Sequence, residues 1–262
     1  MPIVTLTTDF GTRDPYVGAM KGAMLSIVAD LQFIDISHDI APQDVLDGSY
    51  VLRHAAGCFP PGTVHLAVVD PGVGSERRAL VVDDGRHRWV GPDNGLFTHV
   101  LSRPGTRAFE ITHPELIQQM VSATFHGRDL FAPAAAHFAA GFEISQAGPR
   151  VADAICLPQI VCERTADSLI GHVVHVDHFG NLVTNIGADD LTGVVISGVT
   201  AGQARVSGLS STYADVAPGR PLALIGSGGL LELSIRDGNA AQRYKLGRGA
   251  EVSVQLSCES TK

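Results

Sequence analysis

The stretch "VVDPGVGSERR", residues 68–78, carries the reading of the fold. It closes a longer apolar run, "GTVHLAVVD", which starts at Gly62 and stops on Asp70. An apolar run of this length reads as a strand, here one that ends on an acid. A Gly-rich turn follows at once, and then Arg77 and Arg78. A plain surface turn has no need of an acid and an arginine so close to a strand end. Nor is the stretch a nucleotide cradle, because it lacks the Lys-Ser/Thr of a P-loop.

Toward the N-terminus, "PIVTLTTDF" is another strand that ends on an acid, Asp9. "DPYVGAMKGAMLSIVAD" has helical spacing, "LQFIDISHDI" reads as a second strand, and "DVLDGSYVLRHAAGCF" as a helix stopped by Pro60 and Pro61. Toward the C-terminus, "RALVVDD" and "HRWVGPDN" read as a hairpin around Gly85, followed by "GLFTHVLS". "GRDLFAPAAAHFAAG" reads as an Ala-rich helix closed by Gly141. This alternation predicts an α/β domain over residues 1–150, a largely parallel sheet flanked by helices. Residues 151–159, within the Pro-punctuated "AGPRVADAICLPQ", read as a linker. Residues 160–262 hold short β-like runs broken by Gly and Asp, which predict a small all-β barrel or sandwich.

Composition excludes several classes. The 262 residues are 45% hydrophobic and 18% charged, enough for a sizeable core and wrong for a disordered chain. No apolar run approaches the roughly 18 residues of a membrane span. The N-terminus has no basic segment leading into a long apolar core, so no signal peptide is expected, and a cytoplasmic location is. Cys58, Cys156, Cys162 and Cys258 form no CxxC pair, so free thiols are expected rather than a zinc site or a disulfide framework. The net charge of -8 argues against nucleic acid as a partner.

The chemistry-bearing positions fall into three groups. Asp9 and Asp70 each end an apolar strand, where open α/β sheets bind ligands. Either acid alone would pass as a cap for the following turn. His126, in "TFHGRDLFAP", precedes a helix start. An Asp–His–Arg grouping is suited to orienting and activating a water, the carboxylate fixing the imidazole and the arginine holding charge in place. Arg128 and Asp129 read more simply as an ion pair at the helix start. In "VDHFGNLVTNI", Asp177, Phe179 and Asn181 surround Gly180. An aromatic face beside a side-chain amide suits a purine, although a β-turn with a core Phe fits the same letters. "GSGGLLELSIRDGNAA" is Gly-rich but matches no phosphate-binding pattern.

Seven segments, in order along nearly the whole chain, carry a family resemblance. "TLTTDFGTRDPYVGAMKG", "DISHDIAPQDV", "VVDPGVGSERR", "VGPDNGL", "TFHGRDLFAPAAAHFA", "DHFGNLVTNI" and "GSGGLLELSIRDGNAA" resemble the S-adenosylmethionine (SAM) hydrolases of the hydroxide-adenosyltransferase (DUF62) family. The SAM-dependent fluorinase and chlorinase are relatives of that family. The resemblance implies an N-terminal α/β domain, a C-terminal β-barrel and a homotrimer, with sites between the first domain of one subunit and the second of the next. It implies SAM as substrate, with no cofactor and no metal, and cleavage to adenosine and L-methionine. Asp70, Arg77 and His126 then match the triad that positions and deprotonates water. Asp9 matches the acid on the ribose hydroxyls, and Phe179 and Asn181 match adenine-site residues. Asp14, Asp177 and Ser227 match positions near the methionine moiety. Gly228 stands where the halogenating relatives have an arginine after the serine, and Gln43 where the fluorinating relatives have a tryptophan. The fluorinating relatives also carry Tyr and Thr at the positions of Asp70 and Val73, Tyr-Ser at His126-Gly127, and a long insertion after the third strand. A halogenase and a non-catalytic SAM or adenosine sensor are the competing readings.

Overall fold

The structure is a computed structural model and describes residues 1–257. The chain divides into two compact units, Met1–Pro158 and Gln159–Lys262.

The first unit contains β1 (Ile3–Thr8), α1 (Tyr16–Leu25), β2 (Gln32–Ser37), α2 (Val45–Ala56), β3 (Val64–Val68), β4 (Ala79–Asp83), β5 (Arg88–Pro92), α3 (Thr98–Leu101), β6 (Arg107–Glu110), α4 (Ala132–Ala139) and β7 (Arg150–Val151). Its sheet runs in the order β2-β1-β3-β5-β4-β6-β7. The sequence reading of a largely parallel sheet needs correction, because the sheet is mixed. The pairings β1–β2, β1–β3 and β3–β5 are parallel, whereas β4–β5, β4–β6 and β6–β7 are antiparallel. The cause lies in loop length. Residues 84–87 join β4 to β5 through Gly85, whose φ is +80°. So short a connection can join only antiparallel neighbours, while each parallel pair needs a crossover of a dozen or more residues.

β3 shows why this half is layered. Val64, Leu66 and Val68 enter a core on one face with Met20 and Met24 of α1 and Phe138 of α4. Ala67 and the following Val69 enter a second core with Leu52 of α2, Trp89 and Phe97. Successive side chains on a strand point to opposite faces, so an all-apolar strand needs both faces covered. The helices are few and short. α1 follows Pro15, and α2 is capped by Asp44, whose carboxylate accepts from the Asp47 N–H at 3.1 Å. The Ala-rich segment opens as a π-turn, Gly127–Phe131, before continuing as α4. The segment read from sequence as a linker lies largely on this unit: β7 pairs β6, Asp153 pairs Arg78, and Cys156 bridges Gly95.

The second unit contains β8 (Glu163–Arg164), β9 (Ser168–Val176), β10 (Leu182–Gly187), β11 (Val195–Ala201), β12 (Ala204–Val206), β13 (Pro221–Ile225), β14 (Leu230–Ile235), α5 (Ala240–Tyr244) and β15 (Glu251–Ser257). Its antiparallel sheet runs β12-β11-β15-β9-β10-β14-β13, with β8 paired to β9. The end strands β12 and β13 lie side by side, and the Ser210 N–H donates to the Ala223 carbonyl across the seam at 2.8 Å. The sheet thus curls into a nearly closed barrel around Leu169, Val173, Leu182, Ile186, Leu233, Val252 and Val254. Cys58, Cys156 and Cys162 are free thiols, and Cys258 lies outside the described residues.

Candidate active site

β1 and β3 are parallel neighbours, and Thr8 sits in register with Val68. Asp9 and Asp70 therefore leave the sheet at the same end, in the setting where α/β sheets bind ligands. Asp9 is partly buried, and its Oδ2 accepts from the Gln43 N–H at 2.7 Å. Gln43 holds that N–H in place with a left-handed backbone, φ +66°, which is rare outside glycine. Asp14 is exposed on the loop ahead of α1.

Asp70 is clamped by Arg77. Nε lies 2.9 and 3.0 Å from the two carboxylate oxygens, and Nη2 lies 2.5 Å from Oδ2. The side chains are 5% and 10% exposed, so this is a shielded bidentate pair rather than a surface one. Arg77 also packs over the Phe131 ring at 4.9 Å. Its Nη2 reaches His126 Nδ1 at 2.8 Å. The three residues thus form one chain with the arginine in the middle. The sequence reading had the carboxylate fixing the imidazole, whereas in the structure Arg77 stands between them. Burial, and then the Arg77 charge, hold the His126 imidazole below its ordinary pKa; Asp70 and Asp129 pull the other way. His126 is therefore neutral at pH 7.

The turn between Asp70 and Arg77 is shaped by glycine. Gly74 has φ +79°, and a Cβ there would lie 2.5 Å from the Ala123 carbonyl oxygen. This close approach brings the 68–78 turn against the segment that carries His126. The neighbouring Arg78 is paired with the buried Asp93, and the Asn94 side chain donates to the Val69 carbonyl at 2.8 Å. The motif "VGPDNGL" thus braces both ends of the turn, a role the sequence alone left unassigned. Arg128 and Asp129 do form an ion pair, at 2.6 Å, and the fully buried Asp129 also accepts from the Ser122 N–H.

In the second unit, residues 177–181 make the turn between β9 and β10. The Asp177 carboxylate accepts from the Asn181 backbone N–H at 2.8 Å and from its side-chain amide at 2.7 Å. Asn181 is buried, and Phe179 is 72% exposed at the tip of the turn. Phe179 is therefore not the core residue that the plain-turn alternative required. Ser227 is exposed in a different turn, residues 226–229, between β13 and β14. The register of β10 with β14 places that turn at the opposite end of the strand pair from Asn181. Glu232 lies between the two turns. It accepts from the Tyr213 hydroxyl at 2.9 Å, and a Cβ on Gly226 would overlap its carboxylate. Burial first, and then the Asp177 charge, push its pKa up. Neither Tyr213 nor Glu232 stood out in the sequence, because nothing in their spacing ties them to Asp177.

Comparison with known proteins settles the family. The SAM hydroxide adenosyltransferase N-terminal domain is matched over residues 4–148, and the C-terminal domain of the same family over residues 171–253. The chain belongs to the SAM hydroxide adenosyltransferase family. Among family relatives, an (R)-S-adenosyl-L-methionine hydrolase from Thermus thermophilus is 39% identical, with 96% of this chain and 98% of that protein covered. One of the same name from Salinispora tropica is 38% identical, with 97% of each covered. A crystal structure of an uncharacterized conserved protein from Thermotoga maritima superposes with a TM-score of 0.89 at 35% identity, covering 96% of this chain and 99% of that one. A fluorinase from Nocardia brasiliensis is 30% identical. It aligns over 294 positions and the Salinispora tropica hydrolase over 257, each with 97% of this chain covered. The extra positions are residues that the fluorinase has and this chain lacks.

Proposed function

We propose that the protein hydrolyses S-adenosyl-L-methionine to adenosine and L-methionine. The observation that carries the reading is the Asp70–Arg77–His126 chain at the sheet end, in a family whose hydrolases match this sequence along almost its whole length. Water attacks the ribose C5′ and the C5′–S bond breaks. Sulfur keeps the electron pair and leaves as a neutral thioether, so the leaving group needs no acid. What the reaction requires is a positioned, deprotonated water in a sheltered site. Asp70, Arg77 and His126 serve that need, and Asp9 binds the ribose hydroxyls. Phe179 stacks on adenine beside the Asn181 amide, whose orientation Asp177 fixes. Asp14, Asp177 and Ser227 face the methionine moiety. SAM is the substrate, and no cofactor or metal takes part. The place of action is the cytoplasm.

The halogenase reading is weaker, because this chain lacks the extra residues of the fluorinase and keeps Asp70 and His126. The deciding experiment incubates chelator-treated protein with the (R) and (S) sulfonium epimers of SAM, with and without chloride, and separates the products. Adenosine and methionine are expected in every chloride condition. A main product of 5′-chloro-5′-deoxyadenosine favours the halogenase, and tight binding without turnover favours a sensor. The relatives' names specify the (R) epimer, so that arm is expected to be the faster.

We further propose a homotrimer whose sites draw ribose and water residues from one subunit and adenine residues from the next. Asp9→Ala and Asn181→Ala chains, each inactive alone, are expected to regain partial activity when co-assembled. A fully active monomer by light scattering overturns this arrangement.

A further inference from the structure

The contact between Arg77 and His126 fixes a proton as well as a position. Arg77 Nη2 lies 2.8 Å from His126 Nδ1. A guanidinium carries only N–H groups and has no lone pair to offer, so Nδ1 is the acceptor. A neutral imidazole has one proton and one lone pair in the ring plane. With the lone pair committed at Nδ1, the proton sits on Nε2. A charged imidazolium would point an N–H at the N–H of a guanidinium. The charged groups around His126 are Arg77, Asp70 and Asp129, and Asp129 is itself taken up by Arg128. The neutral form is therefore the one that fits the geometry.

A base must have a lone pair free toward the water, and His126 in this state has none. We propose that His126 acts in water activation as a hydrogen-bond donor through Nε2–H, and that Asp70 is the group that takes the proton. The proposal rests on the SAM hydrolase reading and assigns the roles within it. A carboxylate has about four lone-pair sites, and the Arg77 clamp makes three contacts with them. In the step, one O–H bond of water breaks and its proton passes to the Asp70 carboxylate. The oxygen forms a bond to C5′ and keeps its second hydrogen as the new 5′-hydroxyl. The C5′–S bond breaks with its electron pair going to sulfur, which cancels the sulfonium charge. The Nε2–H of His126 steadies the hydroxide-like oxygen while the proton leaves. Arg77 fixes the Asp70 carboxylate in place and holds the imidazole in the donor tautomer, so its place between them has a purpose.

The first test does not depend on activity. Ring-¹⁵N histidine labelling, with His126→Gln to assign the signal, reads the tautomer by long-range ¹H–¹⁵N correlation at pH 7.5. The expected result is a protonated Nε2 and an unprotonated Nδ1. A protonated Nδ1, or an imidazolium at that pH, overturns the proposal. The second test compares variants under single turnover, each checked for native melting. His126→Gln keeps an N–H near the Nε2 position but no basicity, so its rate is expected to stay within about tenfold of the parent. His126→Leu has neither and is expected to fall further. If His126 were the base, Gln would lose the roughly 10²–10⁴-fold typical of base catalysis, and that result also overturns the proposal. If the parent protein releases no adenosine from SAM, the hydrolase reading fails, while the tautomer measurement stands on its own.

Discussion

At the scale of single residues, Asp9 and Asp70 look alike in sequence and differ in their surroundings. Asp70 is shielded and clamped by Arg77, whereas Asp9 is more open and takes one backbone N–H from Gln43. Under the proposed roles Asp70 takes a proton and Asp9 holds two hydroxyls, so the two fail differently when made neutral. Asp70→Asn is expected to slow turnover by roughly 10²–10⁴, about 3–5 kcal/mol of transition-state stabilisation, with SAM affinity little changed. Asp9→Asn is expected to act on affinity, at about 1.5–3 kcal/mol for each charge-assisted hydrogen bond lost. Single-turnover rates and calorimetric affinities separate the two. A near-normal rate with weakened binding in Asp70→Asn would make "VVDPGVGSERR" a substrate-binding turn instead.

At the scale of elements, the turn after β3 does the positioning, and Gly74 is its tightest point. Replacement by alanine puts a side chain on a left-handed backbone, at a cost of about 1–2 kcal/mol, and drives the Cβ against the Ala123 carbonyl. Gly74→Ala is expected to lower the unfolding free energy from urea titration by at least that amount and to cut turnover by displacing Arg77 from His126. Unchanged stability with normal activity would show that the turn yields without cost. Most elements were legible in the sequence. The apolar run of β3, the hairpin at Gly85 and the Ala-rich helix all follow from local pattern. The mixed sheet was harder to read, because β6 pairs antiparallel with β4 and β7 with β6, and those partners are set by packing. The placing of Asp9 and Asp70 at strand ends was legible. The order Asp70–Arg77–His126 was not, since residues 77 and 126 meet only through the fold. Glu232 and Tyr213 were hidden for the same reason.

At the scale of the whole molecule, the first unit buries histidines in its second core. His65 and His99 pack against Trp89, and His65 Nδ1 is hydrogen-bonded to Thr5 Oγ1 at 2.7 Å. Burial, with nearby positive charge from His87 and Arg103 respectively, pushes both imidazoles down to about 3. An unfolded histidine titrates near 6.5, so the unfolded chain binds more protons between those values. Stability from these two groups is complete above about pH 6.5 and falls as pH drops toward about 3. The loss is about 1.4 kcal/mol per pH unit for each histidine. Urea midpoints at pH 7, 5.5 and 4 check this, and a flat profile across that range refutes it. The sheet topology has another consequence, one of timing during synthesis. β1 is made first, yet Val4 pairs with Val64, which arrives 60 residues later. In the second unit the wait is longer: β15 is the last described strand, yet it lies between β11 and β9 and pairs Val254 with Leu169. The barrel therefore stays open on the ribosome until β15 has emerged, and a message truncated before codon 251 yields a product in which β9 and β11 have lost the neighbour they share.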